Sequence, residues 1–245
     1  MANSLLTIIG LGGVERWARS RLHNHRIHKY FAAKRPGDNN SQFAMQELLF
    51  HAADVLEKHR IPYWLDCGTL LGAWRQGNNL PQDADVDIGI LEEDADRVVD
   101  HLKGDLKPPY EIVAEGLCPR VYNRLIKFPK KTRHYLPKMK WPIHVDLRIF
   151  KLEDGFVKCS DRMGYDQKRK YQSGAITPEG WSMGKPKPVP AEWVFPLAKC
   201  RVRGREFSAP RETETYLEFK YGCIGEIGKE CVWNPDTQKL EKIKQ

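Results

Sequence analysis

The sequence predicts an α/β or α+β domain, a mixed β-sheet covered by helices on at least one face, followed by an irregular C-terminal elaboration. Three observations carry this. Apolar Met45, Leu48, Leu49, Ala52, Val55 and Leu56 recur at steps of three and four, which marks one buried helix face. Short apolar runs at Tyr63 to Cys67, Asp85 to Ile90, Val121 to Phe128 and His144 to Phe150 read as strands. Helical and strand-like segments alternate along the first 150 residues. A chain of 245 residues suits one larger domain, or one domain with a tail, and 41% apolar with 29% charged residues describes a globular rather than a disordered or fibrous protein.

The elements follow in order. Leu5 to Val14 is apolar but short of the roughly 20 residues that span a bilayer. Its positive charges follow it instead of preceding it, unlike a secretory signal, so the expected side is cytosolic. From Glu15 to Arg35, seven Arg and Lys residues interleave with Trp17, Leu22, Ile27, Tyr30 and Phe31; the segment is either a peripheral contact with an anionic membrane or a solvated helix. The linker KRPGDNNS closes this basic segment, residues 1–40, and the main domain is expected over 41–245. Ser41 can cap the first core helix, which Ile61-Pro62 ends. Gly68-Thr69 opens a helix to about Arg75, Gly77-Asn78-Asn79 makes a turn, and a helix from Glu92 to Lys103 closes at Gly104. Beyond Lys151 only Arg211 to Tyr221 reads as helix. Trp141, Trp181 and Trp193 in and before that region are either a sugar-stacking surface or local core.

Lys and Arg number 40 against 32 Asp and Glu, a net charge of +8, which suits anionic partners such as nucleotide phosphates, acidic glycans or lipid head groups. No zinc-finger spacing or RNP-type motif supports nucleic acid as a partner. The six cysteines are scattered without a C-x-x-C pair, which argues against structural zinc and for mostly free thiols.

The feature that demands an explanation is DADVDIGI, with Asp83, Asp85 and Asp87 at alternate positions. Residues two apart on a strand share a face about 6.5–7 Å apart. Asp85 and Asp87 therefore face one way, and Val86 and Ile88 face the core. Crowded like charges lose solvation and repel, so either a divalent cation offsets them or the strand end is open to water. Oxygen ligation favours Mg²⁺ or Mn²⁺. Asp146, in the apolar run IHVDLRIF, offers a third carboxylate; the alternative is neutralisation by Arg148 or Arg124. Gly68-Thr69 at a helix N-terminus suits a phosphate, or merely permits the turn.

Together these residues resemble the LicD/fukutin family of nucleotidyltransferase-fold enzymes, in particular its fukutin-related branch. The resemblance rests on the G-T/S-L-L-G-A-x-R turn (Gly68 to Arg75), the D-x-D-x-D-[IV] strand (Asp83 to Ile88), the H-V-D-L segment (His144 to Leu147) and the closing helix APRETETYLEFKYG (Ala209 to Gly222). It implies a nucleotidyltransferase-like mixed sheet over 41–245. It also implies transfer of a phospho-alcohol (ribitol phosphate, glycerol phosphate or phosphocholine) from a CDP-linked donor to a hydroxyl of a glycan or glycolipid, releasing CMP. By the same resemblance Asp85, Asp87 and Asp146 are the catalytic and metal-binding triad and Asp83 an auxiliary acid. Gly68, Thr69, Arg75 and Arg124 are donor-phosphate residues, with Arg120 and Lys127 as nearby charges or surface cations. Asp146 or Asp83 would take the acceptor's proton. Two other readings compete: nucleotidyl transfer from an NTP, and a non-catalytic basic binding module. The family's eukaryotic members make the Golgi lumen the alternative to the cytosol.

Overall fold

The computed structural model describes residues 39–80, 83, 85–114, 118–126, 143–163, 175–177, 180–182, 187–225, 231–234 and 239–242. The basic segment before residue 39, Lys127, Trp141 and the side chain of Trp181 lie outside them. Helix α1 (Asn39–Lys58) leads into β1 (Tyr63–Leu65), α2 (Cys67–Gln76), β2 (Val86–Leu91), a 3₁₀ turn (Glu92–Asp94) and α3 (Ala95–Asp105). Strands β3 (Tyr110–Val113), β4 (Arg120–Asn123), β5 (His144–Glu153), β6 (Phe156–Cys159), β7 (Ala175–Thr177), β8 (Gly180–Ser182) and β9 (Val189–Pro190) follow. The chain then forms α4 (Ala191–Val194), β10 (Ala198–Val202), β11 (Arg205–Ala209), α5 (Thr213–Tyr221), β12 (Cys231–Asn234) and β13 (Lys239–Lys242).

The main sheet runs β1-β2-β5-β4-β3, with β6 on β5 and β9 on β6. Among the described residues only β2 and β5 pair in parallel; the connection between them carries α3, as a parallel crossover requires. At 10 residues β5 is long enough to serve two neighbours on one edge. His144, Val145 and Asp146 pair with β4, and Phe150 to Glu153 pair with β6. The mixed α/β sheet is thus as the sequence predicts.

Alternation places Val86, Ile88 and Ile90 of β2 and Val145, Leu147 and Ile149 of β5 in the core. The α1 face predicted from its periodicity is buried without exception, and α1 packs against α3, β4 and β5. A strand reading for Asp85 to Ile90 and a helix from Glu92 to Lys103 are each displaced slightly. The strand begins at Val86, and the three acids Glu92 to Asp94 form a 3₁₀ turn ahead of α3. That helix runs one residue beyond Gly104, and Lys58 and His59 reach Asp105 at 2.7 and 2.6 Å.

The larger correction concerns the second half, expected to be irregular. It adds β6 and β9 to the main sheet and a β10–β11 hairpin, whose β11 lies against β1. The β5–β6 and β10–β11 hairpins each turn on two residues at positive φ: Asp154 (53°) and Gly155 (77°), and Arg203 (47°) and Gly204 (81°). Arg205 anchors the second hairpin to α1 through Asp54 at 2.7 Å and Glu57 at 3.0 Å. Trp193 packs edge-on against Phe219 at 5.7 Å, which makes it local core.

Gly89 is required by packing. An added Cβ would lie 2.3 Å from Cε2 of Trp64, a fully buried indole also packed against Phe150 and Phe195. Gly89→Ala should therefore cost about 1–3 kcal/mol through overpacking, read as a lower urea midpoint at unchanged slope. An unchanged midpoint would show that the indole yields.

Among the described residues no helix is long and apolar enough to cross a membrane. Cys67, Cys118, Cys159 and Cys200 are free thiols, whereas Cys223 is disulfide-bonded.

Candidate active site

Register brings four charged side chains into one row across the sheet. Asp87 pairs with Asp146, and Asp146 with Arg120. On the other side the N–H of Asp66, one residue past β1, donates to the Asp87 carbonyl at 3.0 Å. The row therefore reads Asp66, Asp87, Asp146, Arg120, all on the face opposite Ile88 and Leu147. One row away, Arg148 stands beside Gly89 and Trp64.

Two clusters form on this face. In the first, Arg120 Nε donates to Asp146 Oδ1 at 2.6 Å, and His144 Nε2 lies 3.3 Å from that oxygen and 4.0 Å from Asp85 Oδ2. Ligand atoms of Asp85, His144 and Asp146 all fall within 4.8 Å of one another. Asp146 and His144 are buried, while the Asp85 side chain is 44% exposed, so the cluster opens to solvent at its Asp85 side.

The second cluster centres on Asp66, which is wholly buried. Lys220 Nζ donates to its Oδ1, Tyr216 Oη donates to the same oxygen at 2.8 Å, and Arg148 Nε lies 3.2 Å from Oδ2. Burial alone would push this carboxyl up; Lys220 and Arg148 outweigh burial and hold it well below the usual carboxylate range. Although Asp66 occupies the N-cap position of α2, it makes no capping hydrogen bond, because these cations claim its oxygens. Arg148 also reaches Asp87 Oδ1 at 3.5 Å and so links the two clusters. Burial pushes the Asp87 carboxyl well up; Arg148 opposes this, while Asp85, Asp146 and Asp66 push it further up.

The family profile described as LicD/FKTN/FKRP, nucleotidyltransferase domain, matches residues 60–212. The chain belongs to this family. Over 190 residues, 73% of this chain, it is 47% identical to the ribitol 5-phosphate transferase FKRP of Homo sapiens, and the match covers 31% of that protein. With the ribitol-5-phosphate transferase FKTN of Homo sapiens it shares 49% identity over 49 residues, 20% of this chain and 11% of that protein. The chain thus spans less than a third of the length of the curated relatives it matches. A slight likeness to solved ANT(2")-Ia in complex with adenylyl-2"-tobramycin has a TM-score of 0.32 at 13% identity, covering 59% of this chain and 67% of that one.

For a LicD chain, the residues expected from the sequence divide sharply. Asp85, Asp87 and Asp146 do meet on one face. Asp83 precedes the strand and lies against Gly68, whose added Cβ would sit 2.7 Å from Asp83 Oδ2. Thr69, expected to offer its hydroxyl to a phosphate, is 1% exposed, and its Oγ1 accepts the Asp87 N–H at 2.9 Å. Its observed role is to fasten α2 to β2 beneath the aspartates. Arg75, also expected at the phosphates, donates to the carbonyls of Ile224 at 2.7 Å and Gly225 at 2.6 Å, tying α2 to the chain beyond α5. Arg124 stands exposed with Glu111 at 3.4 Å; the arginine of the aspartate cluster is Arg120. His144, Asp66, Lys220 and Tyr216 were not among the expected site residues.

The donor set suits a divalent ion. Among the described side chains on this face, carboxylates Asp66, Asp85, Asp87 and Asp146 exceed cations Arg120, Arg148 and Lys220, and Asp85 stands at the solvent-open end.

Proposed function

We propose that this chain is the transferase domain of a metal-dependent enzyme that moves a phospho-alcohol, ribitol 5-phosphate foremost, from a CDP-linked donor to a glycan or glycolipid hydroxyl, releasing CMP. The observation that carries the reading is the meeting of Asp85, just ahead of β2, with Asp87 and Asp146 on the adjacent parallel strands β2 and β5, in a chain 47% identical over most of its length to a protein named as a ribitol 5-phosphate transferase. Mg²⁺ or Mn²⁺ held among these carboxylates would neutralise the donor phosphates and stabilise the leaving CMP. Arg148 and Thr69 hold Asp87 in place from the side chain and the backbone respectively. Asp146, or Asp83 beside Gly68 ahead of the strand, would take the acceptor's proton. The Cys223 disulfide favours an oxidising compartment, so we adopt the lumenal alternative over the cytosolic one.

The test is CMP release from CDP-ribitol, CDP-glycerol and CDP-choline with Mg²⁺ or Mn²⁺. We expect release with one donor, abolished by EDTA and reduced about 100-fold or more in Asp85→Asn, since several kcal/mol of charge stabilisation are at stake. Pyrophosphate release from CTP in place of CMP release would favour nucleotidyl transfer. Neither product with any donor would overturn the transferase reading.

A further inference from the structure

We propose that His144 is a metal ligand and that its imidazole makes the site prefer divalent ions that accept nitrogen, Mn²⁺ over Mg²⁺. The inference deepens the metal-dependent reading above and rests on it.

His144 opens β5, and Val145 and Leu147 on either side of Asp146 point into the core. Alternation therefore places His144 on the carboxylate face beside Asp146. The imidazole is 4% exposed, and its Nδ1 finds no hydrogen-bond partner among the described residues. Its other nitrogen, Nε2, is aimed between two carboxylates, 3.3 Å from Asp146 Oδ1 and 4.0 Å from Asp85 Oδ2. For bonds of about 2.1 Å an octahedral ion sets neighbouring ligands about 3 Å apart and opposite ones about 4.2 Å apart, and both distances lie near that range.

Neutralisation of Asp146 does not need His144, because Arg120 already donates to the same oxygen at 2.6 Å. Nε2 and the two carboxylate oxygens converge closely enough for one cation to accept a lone pair from each. Imidazole is a borderline donor suited to transition metals, whereas Mg²⁺ keeps to oxygen and to water.

The full chain, stripped of metal, is titrated with Mn²⁺ and followed by electron paramagnetic resonance, then competed with Mg²⁺. We expect Mn²⁺ to bind at least about tenfold more tightly than Mg²⁺, with a ¹⁴N coupling in the electron spin-echo modulation that changes to ¹⁵N when the protein contains ¹⁵N-histidine. In His144→Asn the nitrogen coupling should vanish and the preference shrink by about tenfold. The isotope experiment uses unaltered protein, so a poorly folded variant cannot decide the matter. Bound Mn²⁺ without histidine nitrogen coupling, or an undiminished preference in a folded His144→Asn, would overturn the inference alone. Binding of neither Mn²⁺ nor Mg²⁺ would overturn it together with metal dependence. Nitrogen-coordinated Mn²⁺ without CMP release would uphold the inference and remove the transferase reading.

Discussion

Replacing Lys220 with methionine is expected to lower the unfolding free energy by about 3–5 kcal/mol, the cost of removing one partner from a buried ion pair. Asp66 has no exposure, and its Oδ1 takes both Lys220 and Tyr216. Methionine fills much of the same volume, so the loss isolates charge from packing. Arg148 remains 3.2 Å from Oδ2 and is also near Asp87, which places the expectation toward the lower end. For a domain of this size about 3 kcal/mol corresponds to a fall in Tm of roughly 6–12 °C. Denaturant unfolding in the presence of a chelator measures it.

The double variant Asp66→Asn/Lys220→Met should be more stable than Lys220→Met alone, because the orphaned charge is gone while Tyr216 still has an acceptor. A double variant no better than the sum of the singles would show that the pair is not coupled. The pH dependence has a definite sign. Asp66 is held below its unfolded value, so its contribution is present above about pH 4 and lost as pH falls further. Burial pulls Lys220 down, but Asp66 raises it above its ordinary value, so its contribution is present below about pH 10 and lost as pH rises through the folded value. The gap between wild type and Lys220→Met should therefore be flat across neutral pH and narrow in acid.

How much of this was legible depended on the range of each interaction. The buried face of α1 and the shared face of Asp85 and Asp87 follow from a local period, and both were readable. His144 and Asp146 obey the same two-residue rule, so alternation alone would have nominated the histidine. The Asp-Gly at 154–155, between an apolar run and FVKC, was a plain hairpin signal in a region read as irregular. Asp66 is different. Its place beside Asp87 depends on the register between β1 and β2, and its partners Tyr216 and Lys220 lie 150 and 154 residues away. No local pattern encodes such a contact. The partners of the arginines escape a local pattern for a related reason. A long side chain at a helix or strand end reaches several targets, and only the fold decides that Arg75 meets carbonyls while Arg120 meets Asp146.

Asp87→Asn is expected to separate stability from function, in the direction opposite to Lys220→Met. In the metal-free protein Asp87, its side chain 13% exposed, sits among Asp85, Asp146 and Asp66, with Arg148 at 3.5 Å as its partial counterweight. Burial and these neighbours raise its carboxyl above the unfolded value, so the folded state binds a proton that the unfolded chain has released. Stability contributed by that proton is present in acid and lost as pH rises from about 4 through the folded value. Asparagine carries no such slope. In chelator at pH 8 the variant should therefore match or exceed wild type, by about 1 kcal/mol, while Arg148 retains Asp66. Activity should fall by about 10³-fold, because a carboxylate at the ion site supplies several kcal/mol of transition-state stabilisation. Melting curves at pH 5 and 8 in chelator, beside CMP release with metal, give both readings from one preparation. A variant less stable than wild type at pH 8 would mean that Arg148 already compensates Asp87 in full. Retained activity would remove Asp87 from the machinery. The predicted combination, a chain made steadier and inactive by the same neutral side chain, is what a carboxylate kept for a cation and not for the fold should produce.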